Sequence, residues 1–201
     1  MSKKLKASLF VLCVALIMLV GVVGVYSYLT DMENALNTFT VGDVAIELEE
    51  TTGETYEMIP GKTLGKDPTV TVKADSVDCL VFVEVIDNAV TLGEKTYHAS
   101  DFLTYSIGDG WKLFKDNIYY RQVLHSTDEQ ELPVLKNNKV VVKDIVTEEM
   151  MNDLITAGKK PELTFKAYAI QAKKGGTKDE PEYFELEEAW AQLNPPAESG
   201  E

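Results

Sequence analysis

The sequence predicts a mainly β fold: a β-sandwich with short helical insertions, preceded by an N-terminal signal helix. Three observations predict it. Runs rich in β-branched and aromatic residues recur along the chain, many with polar residues at alternate positions. Gly, Pro, Asn and Asp punctuate them at turn-like intervals. Only three short stretches carry helical spacing and capping residues, and no segment repeats another.

The leader comes first. Lys3, Lys4 and Lys6 precede an apolar run from Ala7 to Val25, and Val25-Tyr26-Ser27 leads into the polar start Tyr28-Leu29-Thr30-Asp31. Positive charge, apolar run and a step of small residues, in that order, read as a signal peptide over residues 1–27. Val25 and Ser27 suit the minus-three and minus-one subsites of a signal peptidase, which would leave Tyr28 as the mature N-terminus. A run of this length also suits an uncleaved anchor, although Gly21 and Gly24 loosen its end as a cleavage region requires. The three lysines direct the chain outward under both readings.

A single domain is expected over residues 28–194. Asn37-Thr38-Phe39-Thr40-Val41 alternates polar and apolar, Gly42-Asp43 interrupts, and Val44, Ile46 and Leu48 resume with Glu47 and Glu49 outward. That pattern reads as a strand with a bulge or a sharp bend. Pro60-Gly61 marks a turn and Pro68 leads into the strand Thr69 to Lys73. Cys79 to Ile86 is apolar on both faces except at Glu84, as a central strand requires. Ile118 to Leu124, Val140 to Val142 and Leu163 to Ala172 complete a set of about seven or eight strands. Thr147 caps a helix starting at Glu148 and Gly158 ends it. A second helix spans Phe184 to Leu193, stopped by Pro195-Pro196, and a third, shorter one lies near Ser100 to Leu103. Residues 195–201 form a small, polar tail.

Composition narrows the partners. The chain carries 33 acidic residues against 19 Lys and Arg, a formal net charge of −14. Loss of the leader removes three lysines and no carboxylate, so the mature chain is more acidic still. Such a surface repels nucleic acid and anionic lipid, so no nucleic-acid partner is expected and membrane contact belongs only to the time before cleavage. Self-association should depend on salt or divalent cations. Of the two cysteines, Cys13 lies in the leader. Cys79 is left alone in an apolar strand, a small buried hydrophobe and not half of a bridge.

No cofactor or metal is expected, and no catalytic residue is assigned. The two histidines, His98 and His125, are isolated and sit in no H-E-x-x-H pattern. Ser76, Ser100, Ser106 and Ser126 lack a G-x-S-x-G setting. Ser106-Ile107-Gly108-Asp109-Gly110-Trp111 has neither a P-loop ending nor EF-hand spacing, and reads as a hairpin turn carrying a packed Trp111. Trp111, Tyr119, Tyr120, Tyr168 and Trp190 are expected to pack in the core or its rim, with a glycan-binding platform as the alternative.

Four blocks carry a family resemblance. GVVGVYSYLTDMENALNTFTVGDVAIEL, PGKTLGKDPTVTVKADSVDCLVFVEV, SIGDGWKLFKDNIYYRQV and LTFKAYAIQAK occur in that order. Together they resemble the TasA/camelysin-type exported proteins of Gram-positive bacteria. The resemblance implies a jelly-roll sandwich, export through a dedicated SipW-type signal peptidase, and assembly into fibres of the cell surface or biofilm matrix. On this reading cleavage frees an arm carrying Leu29, Met32, Leu36 and Phe39, which pairs with the sheet edge of a neighbour. The other placement open to that arm is back on its own sheet as an edge strand. The resemblance also leaves two alternatives: an extracellular metallopeptidase of camelysin type, and a monomeric adhesin that binds a glycan or a partner protein.

Overall fold

The computed structural model describes residues 38–52, 58–177 and 179–194. Val25 and Ser27 of the leader, Tyr28 at the expected mature N-terminus, Leu29, Met32 and Leu36 of the arm, and the tail from 195 lie outside them.

The described chain is mainly β, and its centre is a five-stranded sheet. The two nine-residue strands, β5 (Cys79–Asp87) and β13 (Leu163–Gln171), pair antiparallel along their whole length. β10 (Ile118–Val123) lies on the other side of β5, followed by β9 (Lys112–Lys115) at one edge. β1 (Thr38–Val41) forms the other edge and runs parallel to β13.

The alternation of side chains along β5 explains why both its faces are apolar. Cys79, Val81, Val83 and Val85 point to one side, where Phe165, Ala167 and Ala169 of β13 join them. This side shares a core with two three-stranded sheets. One is built of β2 (Ile46–Glu49), β4 (Thr69–Val72) and β11 (Gln130–Pro133), and contributes Leu48, Val70, Val72 and Leu132. The other combines β3 (Thr63–Gly65), β8 (Leu103–Thr104) and β12 (Lys139–Val142), and contributes Leu64, Val140 and Val142. Leu80 and Phe82 point the opposite way, to a second core closed by Ala189 and Leu193 of the C-terminal helix. The exception on that face, Glu84, accepts a hydrogen bond from the Tyr168 hydroxyl at 2.8 Å. Burial and that bond to a carboxylate both push the phenol pKa upward.

The helices fall where capping chemistry places them. α1 (Ala99–Phe102) is a single turn, and the Asp101 carboxylate accepts from the His98 N–H at 2.7 Å. In α2 (Glu148–Ala157) the Thr147 hydroxyl accepts from the Met150 N–H at 3.3 Å, and Gly158 closes the helix at φ 58°. α3 (Leu186–Leu193) starts with the Glu188 carboxylate accepting from the Glu185 N–H.

Two expectations need correction and a third is narrowed. The described residues hold fifteen strands, not seven or eight, because hairpins such as β6 (Ala89–Leu92) with β7 (Lys95–His98) occupy segments without a strong periodic pattern. Of the two readings of the break at Gly42-Asp43, the sharp bend is the one observed: β1 and β2 belong to different sheets, and Gly42 turns the chain between them at φ 87°. The turn at Asp109-Gly110 does not close a hairpin. It links an isolated bridge, Ile107 to Leu135, with β9, and these two do not pair with one another. Trp111 is packed there as expected, buried with its indole N–H donating to the Pro133 carbonyl at 2.9 Å.

Candidate functional site

The two edges of the five-stranded sheet differ in chemistry. At β9 the strand KLFK places Lys112 and Lys115 on the rim, and Leu113 is exposed. The Lys115 ammonium lies over the rings of Phe114 and Trp190, 5.2 and 5.5 Å from their centroids. Edge lysines oppose the addition of another strand, because pairing would bring charge into a ladder. The β1 edge has the uncharged sequence TFTV.

Among the described residues, the β1 edge also covers only part of β13. β1 pairs with Ala167, Tyr168, Ala169 and Ile170 only, with Phe39 opposite Tyr168. β13 begins four residues earlier, at Leu163, and on its β5 side it is paired throughout. On its β1 side, Leu163 to Lys166 face no strand among the described residues. Backbone donors and acceptors directed that way have no ladder partner there. At the other end of β1 the chain leaves the sheet at Gly42, directly under the Gln171 side chain. A Cβ at position 42 would stand 2.6 Å from Gln171 Oε1. Gln171 had no signal in the sequence beyond its place at the end of an apolar strand.

Of the arm residues, Phe39 therefore sits in an edge strand on its own chain, while Leu29, Met32 and Leu36 lie outside the described residues.

The residues considered for chemistry do not converge. His98 has its Nδ1 3.9 Å from Asp87 Oδ2. His125 is held at the opposite end of β5, with its N–H donating to Asp78 Oδ1 at 2.7 Å and its Nδ1 2.9 Å from the Ser76 carbonyl. Ser76 and His125 thus meet, but through the serine backbone. The Ser76 hydroxyl accepts instead from the Ala45 N–H at 3.2 Å, and the Ser126 hydroxyl accepts from the Asp128 N–H. Ser100 and Ser106 take part through their backbones, Ser100 donating its N–H to Asp87 and the Ser106 carbonyl accepting from Lys136. No three His, Cys, Asp or Glu side chains are grouped to hold a metal ion among the described residues. Cys79 is buried, and burial raises its thiol pKa to about 12, far from a reactive range.

The five aromatics divide between the faces of the sheet. Trp111 and Tyr119 pack into the core shared with the three-stranded sheets. Tyr120, Tyr168 and Trp190 meet on the other face around Phe82, whose ring centroid lies 5.4 Å from that of Trp190 and 5.7 Å from that of Phe114. Tyr168 contacts Trp190 edge-on at 5.1 Å. These rings glue α3 to the sheet and present no shared flat platform.

Among the described residues no helix is long and apolar enough to cross a membrane. No protein-family model, no curated protein and no solved structure matches this chain.

Proposed function

We propose that this chain is a secreted, non-enzymatic structural protein of the cell surface or biofilm matrix of a Gram-positive bacterium. Its copies self-associate into fibres by strand addition at the β1–β13 edge, and its described body is the jelly-roll-like sandwich of a TasA/camelysin-type subunit. A SipW-type signal peptidase releases residues 28–201 by cutting after Ser27.

One observation carries the reading: among the described residues no strand pairs with the first half of β13 on its β1 side, next to an uncharged first strand, while the far edge is guarded by lysines. Continued in the same parallel register, the residues before Thr38 would come opposite Leu163 to Lys166, with Leu36 facing Phe165. That position can be filled by the chain's own arm or by the arm of a neighbour, and the second choice links copies head to tail. Backbone hydrogen bonds supply the attachment, and the apolar Leu36 and Phe39, an odd number of positions apart, fall on opposite faces of the added strand. The net charge, −14 for the full chain and more negative after cleavage, opposes close approach of copies, so assembly gains from added salt or divalent cations.

The test removes residues 28–36 from the cleaved chain and images the product by negative-stain electron microscopy. Loss of filaments is the expected result. Filaments as abundant as those of the intact chain would refute strand addition by the arm.

A further inference from the structure

Beyond the sheet edge, the described residues contain an open cleft that no part of the assembly reading uses. It has a volume of about 430 Å³ and lies at the end of β13, past the bend at Gly42. Its walls are the Val77-Asp78 loop, Gln171, and the hairpin of β14 (Lys173–Gly176) and β15 (Pro181–Tyr183). Ala172 ties these walls together, donating its N–H to the Asp78 carbonyl at 2.7 Å and accepting from the Phe184 N–H at 3.0 Å. The hairpin is tight: Gly176 has φ 88°, and a Cβ there would stand 2.3 Å from the Glu180 carbonyl oxygen. The cleft is therefore a preformed feature, with bare glycine backbone on one side.

Its chemistry is mixed in a specific way. Lys174 is engaged, with Nζ 2.8 Å from Glu188 Oε2. Lys173 is exposed and has no acidic group within 4.0 Å among the described residues, in a chain where carboxylates outnumber cations. The Gln171 amide likewise has no hydrogen-bond partner there. Asp78 gives one oxygen, Oδ1, to the His125 N–H; Oδ2 is left to accept. The Tyr183 ring is 53% exposed on the wall, although a tyrosine ring gains by being covered.

The geometry points to a binding site for a sugar unit carrying a single carboxylate, a uronic acid within a polysaccharide. Lys173 takes the carboxylate by a charge-assisted hydrogen bond. Asp78 and Gln171 take ring hydroxyls, and the Tyr183 ring covers the apolar face of the pyranose. An acidic peptide fits less well, because it offers neither ring hydroxyls for Asp78 and Gln171 nor a pyranose face for the Tyr183 ring. The volume lies at the small end of ligand pockets, roughly 300–1,000 Å³, and suits about one or two sugar rings.

The experiment titrates trigalacturonate into the full-length chain, kept soluble in mild detergent, by isothermal calorimetry with chemical-shift mapping. Neutral galactotriose and tri-glutamate serve as comparison ligands. Binding of the uronide alone is expected, with shifts at Lys173 and Tyr183. Lys173→Gln and Tyr183→Ala should each weaken it about tenfold, whereas Lys139→Gln, an exposed lysine on β12, should leave it unchanged. Absence of uronide binding, shifts mapping elsewhere on the unaltered protein, equal losses for Lys173→Gln and Lys139→Gln, or equal binding of tri-glutamate would each overturn the assignment. None of these readouts depends on whether the chain forms fibres.

Discussion

Asp67 offers the sharpest check on how the fold is held together. It sits between β3 and β4, and its carboxylate gathers the chain just after β2. Oδ1 accepts from the Thr51 N–H at 3.0 Å, the Thr52 N–H at 2.8 Å and the Thr52 hydroxyl at 2.8 Å, while Oδ2 accepts from the Thr51 hydroxyl. Partial burial alone would raise the carboxyl pKa, but the four hydrogen bonds outweigh it and bring the value from 3.8 to about 2. A difference of that size corresponds to roughly 2 kcal/mol, and solvent access to the cluster reduces it to about 1–2 kcal/mol. The sign follows from proton binding. The folded state holds the proton more weakly than the unfolded state, so the stabilisation is complete above about pH 4 and is lost as pH falls through about 2. Asp67→Asn keeps the shape, removes the charge and turns one acceptor into a donor. Urea unfolding followed by tryptophan fluorescence should place its midpoint about 0.5–1 M below that of the unaltered chain at pH 7. The gap should close as pH approaches 2. Equal midpoints at pH 7, or a gap that does not change with pH, would refute the reasoning.

Two further outcomes are expected. Gly158→Ala should destabilise the protein by about 1 kcal/mol through backbone strain alone, since φ is 58° and no atom lies within 4 Å of the added Cβ; thermal unfolding reads this, and an unchanged midpoint would contradict it. The Cys79 thiol should stay unmodified by a thiol reagent at pH 8 in the native protein and react once urea unfolds it, as followed by mass spectrometry of the peptide that contains it.

The parts of the fold legible in the sequence are those where one physical signal is strong and local. β5 and β13 declare themselves by apolar residues on both faces, and α2 by a threonine cap, an acidic first turn and a terminal glycine. β6, β7 and β11 were hidden because most of their residues are exposed or half-buried, so no periodicity of hydrophobicity marks them. The Asp67 clasp was hidden for another reason: its partners lie fifteen and sixteen residues earlier, and nothing in Thr51-Thr52 or Asp67-Pro68 announces that they meet. The sheet edge was half legible. TFTV reads as a strand on sight, but that it runs parallel to β13 and covers only part of it depends on contacts across nearly the whole chain. The cleft was invisible, since its walls come from three separate segments.

The parallel pairing of β1 with β13 has a consequence for the order of folding. Chains are made from the N-terminus, so β1 exists long before its one strand partner among the described residues, which is nearly the last long strand to appear. β10, β5 and β13 are joined by antiparallel ladders that need nothing from β1, and they can assemble first. The opening strand then docks as the closing step, onto a border already in place. Until it does, that border is open to any suitable strand within reach, so the chain's own first segment competes on time as well as on affinity.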